Sequence, residues 1–283
     1  MLSYRHAFHA GNIADILKHL VLVNTLHHAT RKASPLFYLD THAGAGLYNL
    51  QSVQAAKTGE AEAGILGLDF PALQAACDEA GRQALGLYAE AVQPFLAKQQ
   101  YPGSPLLAAS ILRRSDHLHL FELHPSDYAL LVGHTQRHRN IRCERLDGYR
   151  HAPGLIPPVQ KRAVVLIDPS YELDSEGRAA AKLCATIHQR LPGAQILLWY
   201  PVVSRREAEQ LAANLVRREI RDLWRFELGS KADTLGSGMT ASGMLVVNPP
   251  WTLPAQLENC LPLLQEQLAK GWGNWKVERL TAE

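Results

Sequence analysis

The chain has 283 residues, is 47% hydrophobic and 20% charged, and carries a formal net charge of only +2. This leaves room for one large α/β domain with an insertion, or two small domains, and excludes a protein that coats nucleic acid by bulk charge. No apolar stretch is long enough to span a bilayer, and the N-terminus lacks a signal-peptide layout. Cys77, Cys143, Cys184 and Cys260 show no metal or redox spacing, so a cytoplasmic protein with reduced thiols and no membrane association is expected.

The chain starts with a polar, aromatic and basic segment, Tyr4-Arg5-His6-Ala7-Phe8-His9. Asn12 then stands where it can cap a helix, with Asp15 in the first turn. Ile13, Ile16, Leu17, Leu20, Val21 and Asn24 follow at helical spacing. Five β-rich apolar runs come next: Leu36–Asp40, Leu118–Glu122, Ile141–Asp147, Ala163–Asp168 and Ile196–Tyr200. Helical patterns sit between most of them, which predicts a mostly parallel sheet covered on both faces. The interval between the first two runs is several-fold longer than a simple crossover needs. Its Ala/Leu/Gln-rich stretches predict a helical insertion over residues 51–100, as a substrate clamp, an oligomer contact or padding. A late pair, Leu223–Leu228 and Met244–Asn248, is expected to form a hairpin.

Ligands of such sheets bind beyond the C-terminal strand ends. Four successive runs end in acids: Asp40, Glu122, Asp147 and Asp168. A single carboxylate there is more often a helix cap, but four in this order predict one cleft. Behind the first strand, Asp40-Thr41-His42-Ala43-Gly44-Ala45-Gly46 lets backbone approach a ligand closely. It lacks the third glycine of a dinucleotide fingerprint, so a nucleoside with an amino-acid tail suits it better than a pyrophosphate. Glu122 can accept from ribose hydroxyls and Asp147 from an adenine amino group.

Asp168-Pro169-Ser170-Tyr171 carries the chemistry. It is one change from the Asp-Pro-Pro-Tyr signature of enzymes that methylate exocyclic amino groups of bases. The lone pair of such a nitrogen is delocalised into the ring. Two acceptors on its hydrogens, the Asp168 carboxylate and the Pro169 carbonyl, localise that pair and stabilise the developing positive charge. Tyr171 can stack on an extruded base. The plain alternative is a proline-stiffened turn. Asn248-Pro249-Pro250-Trp251 is a competing motif, read as ending the last strand and packing Trp251. His6 with His9, or His42 with His124, fits no zinc spacing, and no metal is expected. Arginine clusters at 137–145, 205–206 and 217–225 are phosphate-patch candidates or solvated helix faces.

With these motifs the chain resembles the bacterial methyltransferase J family of large-subunit (23S) ribosomal RNA, which forms N6-methyladenine with S-adenosylmethionine. The resemblance covers almost the whole chain. It rests on Ser3-Tyr4-Arg5-His6, His9-Ala10-Gly11-Asn12, Lys18-His19, Tyr38 through Gly46, Tyr101-Pro102-Gly103-Ser104-Pro105, Glu122 through Tyr128, Asp147-Gly148, Ile167-Asp168-Pro169, Trp199 through Val203 and Gly238 through Met244. It implies a Rossmann-like class I S-adenosylmethionine-dependent methyltransferase sheet over residues 1–50 and 101–283, with 51–100 as a helical insertion subdomain. The cofactor contacts it implies are Lys18, His42, Gly44, Ser104, Glu122, Asp147, Gly148 and Asp168. The catalytic group is Asp168, Pro169 and Tyr171, with Tyr4 and His6 near the active site. The implied partner is 23S ribosomal RNA, protein-free or precursor, bound by a monomer. Two other readings stay open: a non-catalytic nucleic-acid-binding or external-DNA-utilisation protein, and the same chemistry on DNA. The chain departs from the family signature at Ser170, where a second proline is usual. Serine loosens the loop and adds a hydroxyl that could compete for Asp168, but both acceptors remain, so activity is expected to persist.

Overall fold

The computed structural model describes residues 5–173, 175–233, 238–269 and 272–282. In chain order the elements are α1 (Ile13–Thr30), β1 (Phe37–Asp40), β2 (Leu47–Asn49), α2 (Val53–Thr58), α3 (Glu60–Ala63), α4 (Phe70–Ala76), α5 (Glu79–Leu96), β3 (Gln100–Pro102), α6 (Ser104–Ile111), β4 (His117–Phe121) and α7 (Pro125–Thr135). They continue as β5 (Ile141–Glu144), α8 (Gly148–His151), β6 (Ala163–Ile167), α9 (Glu176–Arg190), β7 (Gln195–Val202), α10 (Arg205–Val216), β8 (Leu223–Gly229), β9 (Ala241–Val247), α11 (Leu253–Ala269) and β10 (Trp275–Arg279).

Eight strands form one sheet in the order β10-β8-β9-β7-β6-β1-β4-β5. The five from β7 to β5 are parallel, while β9 runs antiparallel to both β7 and β8. This is the Rossmann-like α/β sheet expected from the alternating pattern. The inner strands read as unbroken apolar runs because both faces are covered: every residue of β6 is buried. The chain leaves β1 toward β4 and β5, then returns to lay β6 on the other side of β1. That reversal opens a crevice at the C-terminal ends of β1 and β6.

α1 is buried on nearly all sides, so its hydrophobic residues do not form a single stripe. Asn12 caps it, accepting from the Asp15 N–H at 3.0 Å. α2 to α5 lie between β2 and β3, which pair into a small antiparallel sheet of their own. α5 packs on α1 and α11, and its Leu85, Tyr88 and Val92 join the same core as Leu17 and Leu20.

Some readings of the sequence change. The run ending at Asp147 stops as a strand at Glu144, and Asp147 becomes the N-cap of α8. β9 is not the last strand: β10 follows and pairs antiparallel with β8 at the sheet edge. Trp251 does not pack; it is 81% exposed. Asn248 is structural, donating from Nδ2 to the Pro192 and Ala194 carbonyls at 2.7 Å each. Among the described residues no helix is long and apolar enough to cross a membrane.

Candidate functional site

A cavity of about 700 Å³ opens at the C-terminal strand ends. It is lined from α1 by Lys18, from the loop after β1 by His42 and Gly44, and from α6 by Ser104. Glu122 and Asp147 border it after β4 and β5, with Gly148 beside them. Asp168, Pro169, Ser170 and Tyr171 border it after β6, and Trp199 from β7. The structure therefore brings the sequence-derived site residues together, with two qualifications. Tyr4 lies outside the described residues. Asp40, read as one of four acids in a single cleft, does not line the cavity. Its carboxyl is buried beneath, where the Ser104 and Tyr38 hydroxyls donate to Oδ2 at 2.7 and 2.9 Å. Burial pushes the Asp40 pKa up to about 6 against these hydrogen bonds.

Backbone geometry sets the cavity floor. Gly44 has φ +63°, and its N–H donates to Glu122 Oε2 at 2.7 Å. Glu122 Oε1 accepts from His124 N–H at 2.7 Å, so this carboxylate ties the β1 and β4 loops together. Burial raises the Glu122 pKa and the backbone donors oppose the rise. Asp147 Oδ1 accepts from Tyr149 N–H at 2.9 Å. A Cβ on Gly148 would stand 2.2 Å from the Thr41 carbonyl oxygen, so only glycine permits this approach of α8 to the β1 loop. His42 packs edge-on against Tyr149 and bonds Thr41 Oγ1 through Nδ1 at 2.8 Å. Burial lowers its pKa to about 4, which keeps the ring neutral at physiological pH.

A chain of ionisable side chains runs along the other wall. His6 Nε2 lies 2.9 Å from Asp15 Oδ2, Asp15 Oδ1 lies 2.9 Å from Lys18 Nζ, and Lys18 Nζ donates to Asp168 Oδ2 at 2.7 Å. Burial works against the Lys18 charge, but Asp15 and Asp168 together hold its pKa well above the ordinary lysine value. Lys18, implied by resemblance as a cofactor contact, is thus engaged by two carboxylates while bordering the cavity. Its ammonium also stands 6.0 Å from the centre of the Trp199 ring.

The Asp168 side chain retains 14% exposure, so its carboxylate is reachable from the cavity. Among the described residues its hydrogen-bond donor is Lys18, and Ser170 does not compete. Tyr171 has φ +54°, a left-handed conformation that a non-glycine residue adopts at a cost of order 1–3 kcal/mol. Its hydroxyl donates to the Trp199 carbonyl at 2.8 Å and its ring meets Trp199 edge-on. These contacts hold the strained turn.

Over the cavity, the segment after residue 4 is tied at two places. Arg5 pairs with Asp127 of α7 at 3.2 Å, and His9 Nδ1 lies 3.0 Å from Glu60 of α3. Asn12 Nδ2 also donates to Glu60, at 2.8 Å. Sequence reasoning missed Glu60, Asp127 and Trp199 at this site. Asp15 it read as a first-turn acid alone; the (i, i+3) spacing to Lys18 on an apolar helix was a usable signal. One arginine in each of two candidate phosphate groups is already engaged by carboxylates, while Arg206, Arg217, Arg218 and Arg221 stay exposed. Arg205 is committed to Glu227 and Asp233, and buried Arg225 to Glu209 and Glu278.

These residues fit a nucleoside with a charged tail: glycines where backbone must come close, and carboxylates in the loops after β4, β5 and β6. Among the described residues no group of three or more His, Cys, Asp or Glu side chains could hold a metal ion.

Residues 33–281 match the family described as ribosomal RNA large subunit methyltransferase D, RlmJ. The chain is 41% identical to the ribosomal RNA large subunit methyltransferase J of Escherichia coli (strain K12), and 38% identical to that of Haemophilus influenzae. Both alignments span 100% of both proteins. Among solved structures, protein LPL1258 from Legionella pneumophila superposes with a TM-score of 0.84 at 30% identity, over 96% of this chain and 98% of that one.

Proposed function

Because the chain belongs to the large-subunit ribosomal RNA methyltransferase D, RlmJ, family, we propose that it methylates the N6 amino group of an adenine in 23S ribosomal RNA. The protein is an S-adenosylmethionine-dependent ribosomal RNA methyltransferase with a class I fold. The adenine N6 position rests on one observation: a reachable carboxylate, Asp168, followed by Pro169 and Tyr171 at the rim of the same cavity that Glu122 and Asp147 border.

S-adenosylmethionine supplies an already activated methyl group when bound. Glu122, Asp147, Gly44, Gly148, His42 and Ser104 would hold it, with Lys18 and Asp168 at the edge of its site. Asp168 and the Pro169 carbonyl then accept the two amino hydrogens of the base. Each carboxylate oxygen carries two lone pairs, so the Lys18 bond leaves acceptor capacity. Tyr171 gives the base a ring to stack on, and Trp199 fixes that ring. His6 belongs to the segment that shields the reacting groups from water; Tyr4 is assigned to the catalytic group by the family resemblance alone. Residues 51–100 form a helical insertion subdomain whose Glu60 anchors this segment. The substrate is protein-free or precursor RNA, met by a monomer in the cytoplasm.

The test is incubation with labelled S-adenosylmethionine and an unmodified 23S transcript, followed by nucleoside mass analysis. N6-methyladenosine is the expected product. Label on another nucleoside, or transfer only to an adenine-containing DNA control, refutes the assignment. Binding without transfer supports the non-catalytic reading instead.

A further inference from the structure

Asp15 sits in the first turn of α1 behind the cavity wall, with its side chain fully buried. An acid there ordinarily serves the helix end, at the surface and through one oxygen. In this chain Oδ2 covers that duty, accepting from the Gly11 N–H at 2.8 Å, and also meets His6 Nε2. Oδ1 turns the other way, to Lys18 Nζ at 2.9 Å. Withdrawing a carboxylate wholly from water costs far more than a helix cap returns, so capping does not account for its placement. His6 and Lys18 hold its pKa well below the ordinary carboxylate range against the opposing effect of burial.

We propose that Asp15 is a positioning residue for methyl transfer: it fixes Lys18 and, through Lys18, the Asp168 carboxylate. The inference rests on the reading of Asp168 as the amino-group acceptor. Its physical content is a division of one cation between two anions. An ammonium released from Asp15 would close fully onto Asp168 and take the lone pairs that the incoming amino group needs. Held by Asp15, it meets Asp168 at Oδ2, and the carboxylate stays oriented but available. Asp15 itself touches no reacting atom.

The experiment compares wild type, Asp15→Asn, Lys18→Met and the double variant in single-turnover transfer to an unmodified 23S transcript, with thermal shift by S-adenosylmethionine as the control for an intact site. Asp15→Asn is expected to slow transfer about 10²-fold, the scale of a misplaced reacting group. Its KM for S-adenosylmethionine stays close to wild type and the cofactor-induced rise in Tm is kept. In the Lys18→Met background the same substitution changes the rate by less than about twofold, because its route is already cut. Wild-type turnover in Asp15→Asn, or rate losses that multiply in the double variant, overturns the inference. If Asp15→Asn does not fold, Asp15→Ser is read by the same criteria. Failure of both to fold makes the residue structural and overturns the inference as well. Absence of transfer by the wild-type protein is a separate result, which removes the methyltransferase reading and this inference with it.

Discussion

Lys18 Nζ and Asp168 Oδ2 lie 2.7 Å apart across 150 residues of chain. The contact joins the first helix to the turn that carries the proposed acceptor. It sets an ammonium against a carboxylate at the edge of the cavity, where an unpaired buried ion would be costly.

Asp168→Asn keeps the shape of the side chain and removes its charge, while Lys18 retains Asp15. Transfer is expected to fall about 10²–10³-fold, as when one stabilising group at a reacting centre is lost. The rise in Tm on adding S-adenosylmethionine should persist, because Glu122, Asp147 and the glycine loops are untouched. Single-turnover rates and thermal shifts measured on the same preparation check both halves. Near wild-type rates would falsify the acceptor role.

Ser170 is the point where the chain leaves its family signature. Since Asp168 takes its hydrogen bond from Lys18 and not from Ser170, the hydroxyl does not spoil the acceptor. The parent protein is therefore expected to be active. Ser170→Pro should change the rate by only a few fold and, where the turn accepts it, stabilise by about 0.4–1 kcal/mol through the unfolded chain. Side-by-side methylation assays and urea melts measure this. An inert parent restored by proline would contradict it.

The inner parallel strands were legible because both their faces are buried and they read as apolar runs, as Ala163–Ile167 before Asp168 does. The hairpin of β8 and β9 was legible for the same reason. β10 was not: Trp275–Arg279 lies at an edge, half exposed, with charged residues that mask any period. The site was legible where function needs a fixed residue type after a strand. It was illegible where the partner comes from far along the chain, as Glu60 does for His9 and Trp199 for Tyr171. Asp40 misled because a strand-end acid gives no sign of whether it turns into the cleft or under it.

Gly148 supports a prediction about packing and binding together. An alanine there would place Cβ 2.2 Å from the Thr41 carbonyl oxygen and 2.8 Å from Thr41 Cβ. The neighbour is backbone, so the β1 loop and α8 must separate. Gly148→Ala is expected to cost about 1–3 kcal/mol in a urea melt, as overpacking does. It should also weaken S-adenosylmethionine binding about tenfold or more by calorimetry, since each 1.4 kcal/mol of lost fit is one decade. Unchanged stability and affinity would mean that the loop has slack that the structure does not show.

Asp40 gives a pH signature that separates it from the acids of the cleft. Its pKa is raised from 3.8 to about 6 in the folded protein, by burial first, against the Ser104 and Tyr38 hydrogen bonds. The folded state thus binds more protons than the unfolded chain between about pH 4 and pH 6, and linkage makes this group's contribution to stability fall as pH rises through that window. Below it both states are protonated and nothing is lost. Above it the full penalty applies, at most about 3 kcal/mol for a shift of this size. Asp40→Asn cannot titrate, so wild type measured against it should lose stability progressively from pH 4 to 6 and then run parallel. The slope carries the test, because the amide also exchanges an acceptor of the His42 N–H for a donor and offsets the two curves by a constant. Urea melts at half-unit intervals suffice. Parallel curves throughout the window would show that Asp40 titrates as an ordinary carboxylate, its hydrogen bonds offsetting the burial of the charged form.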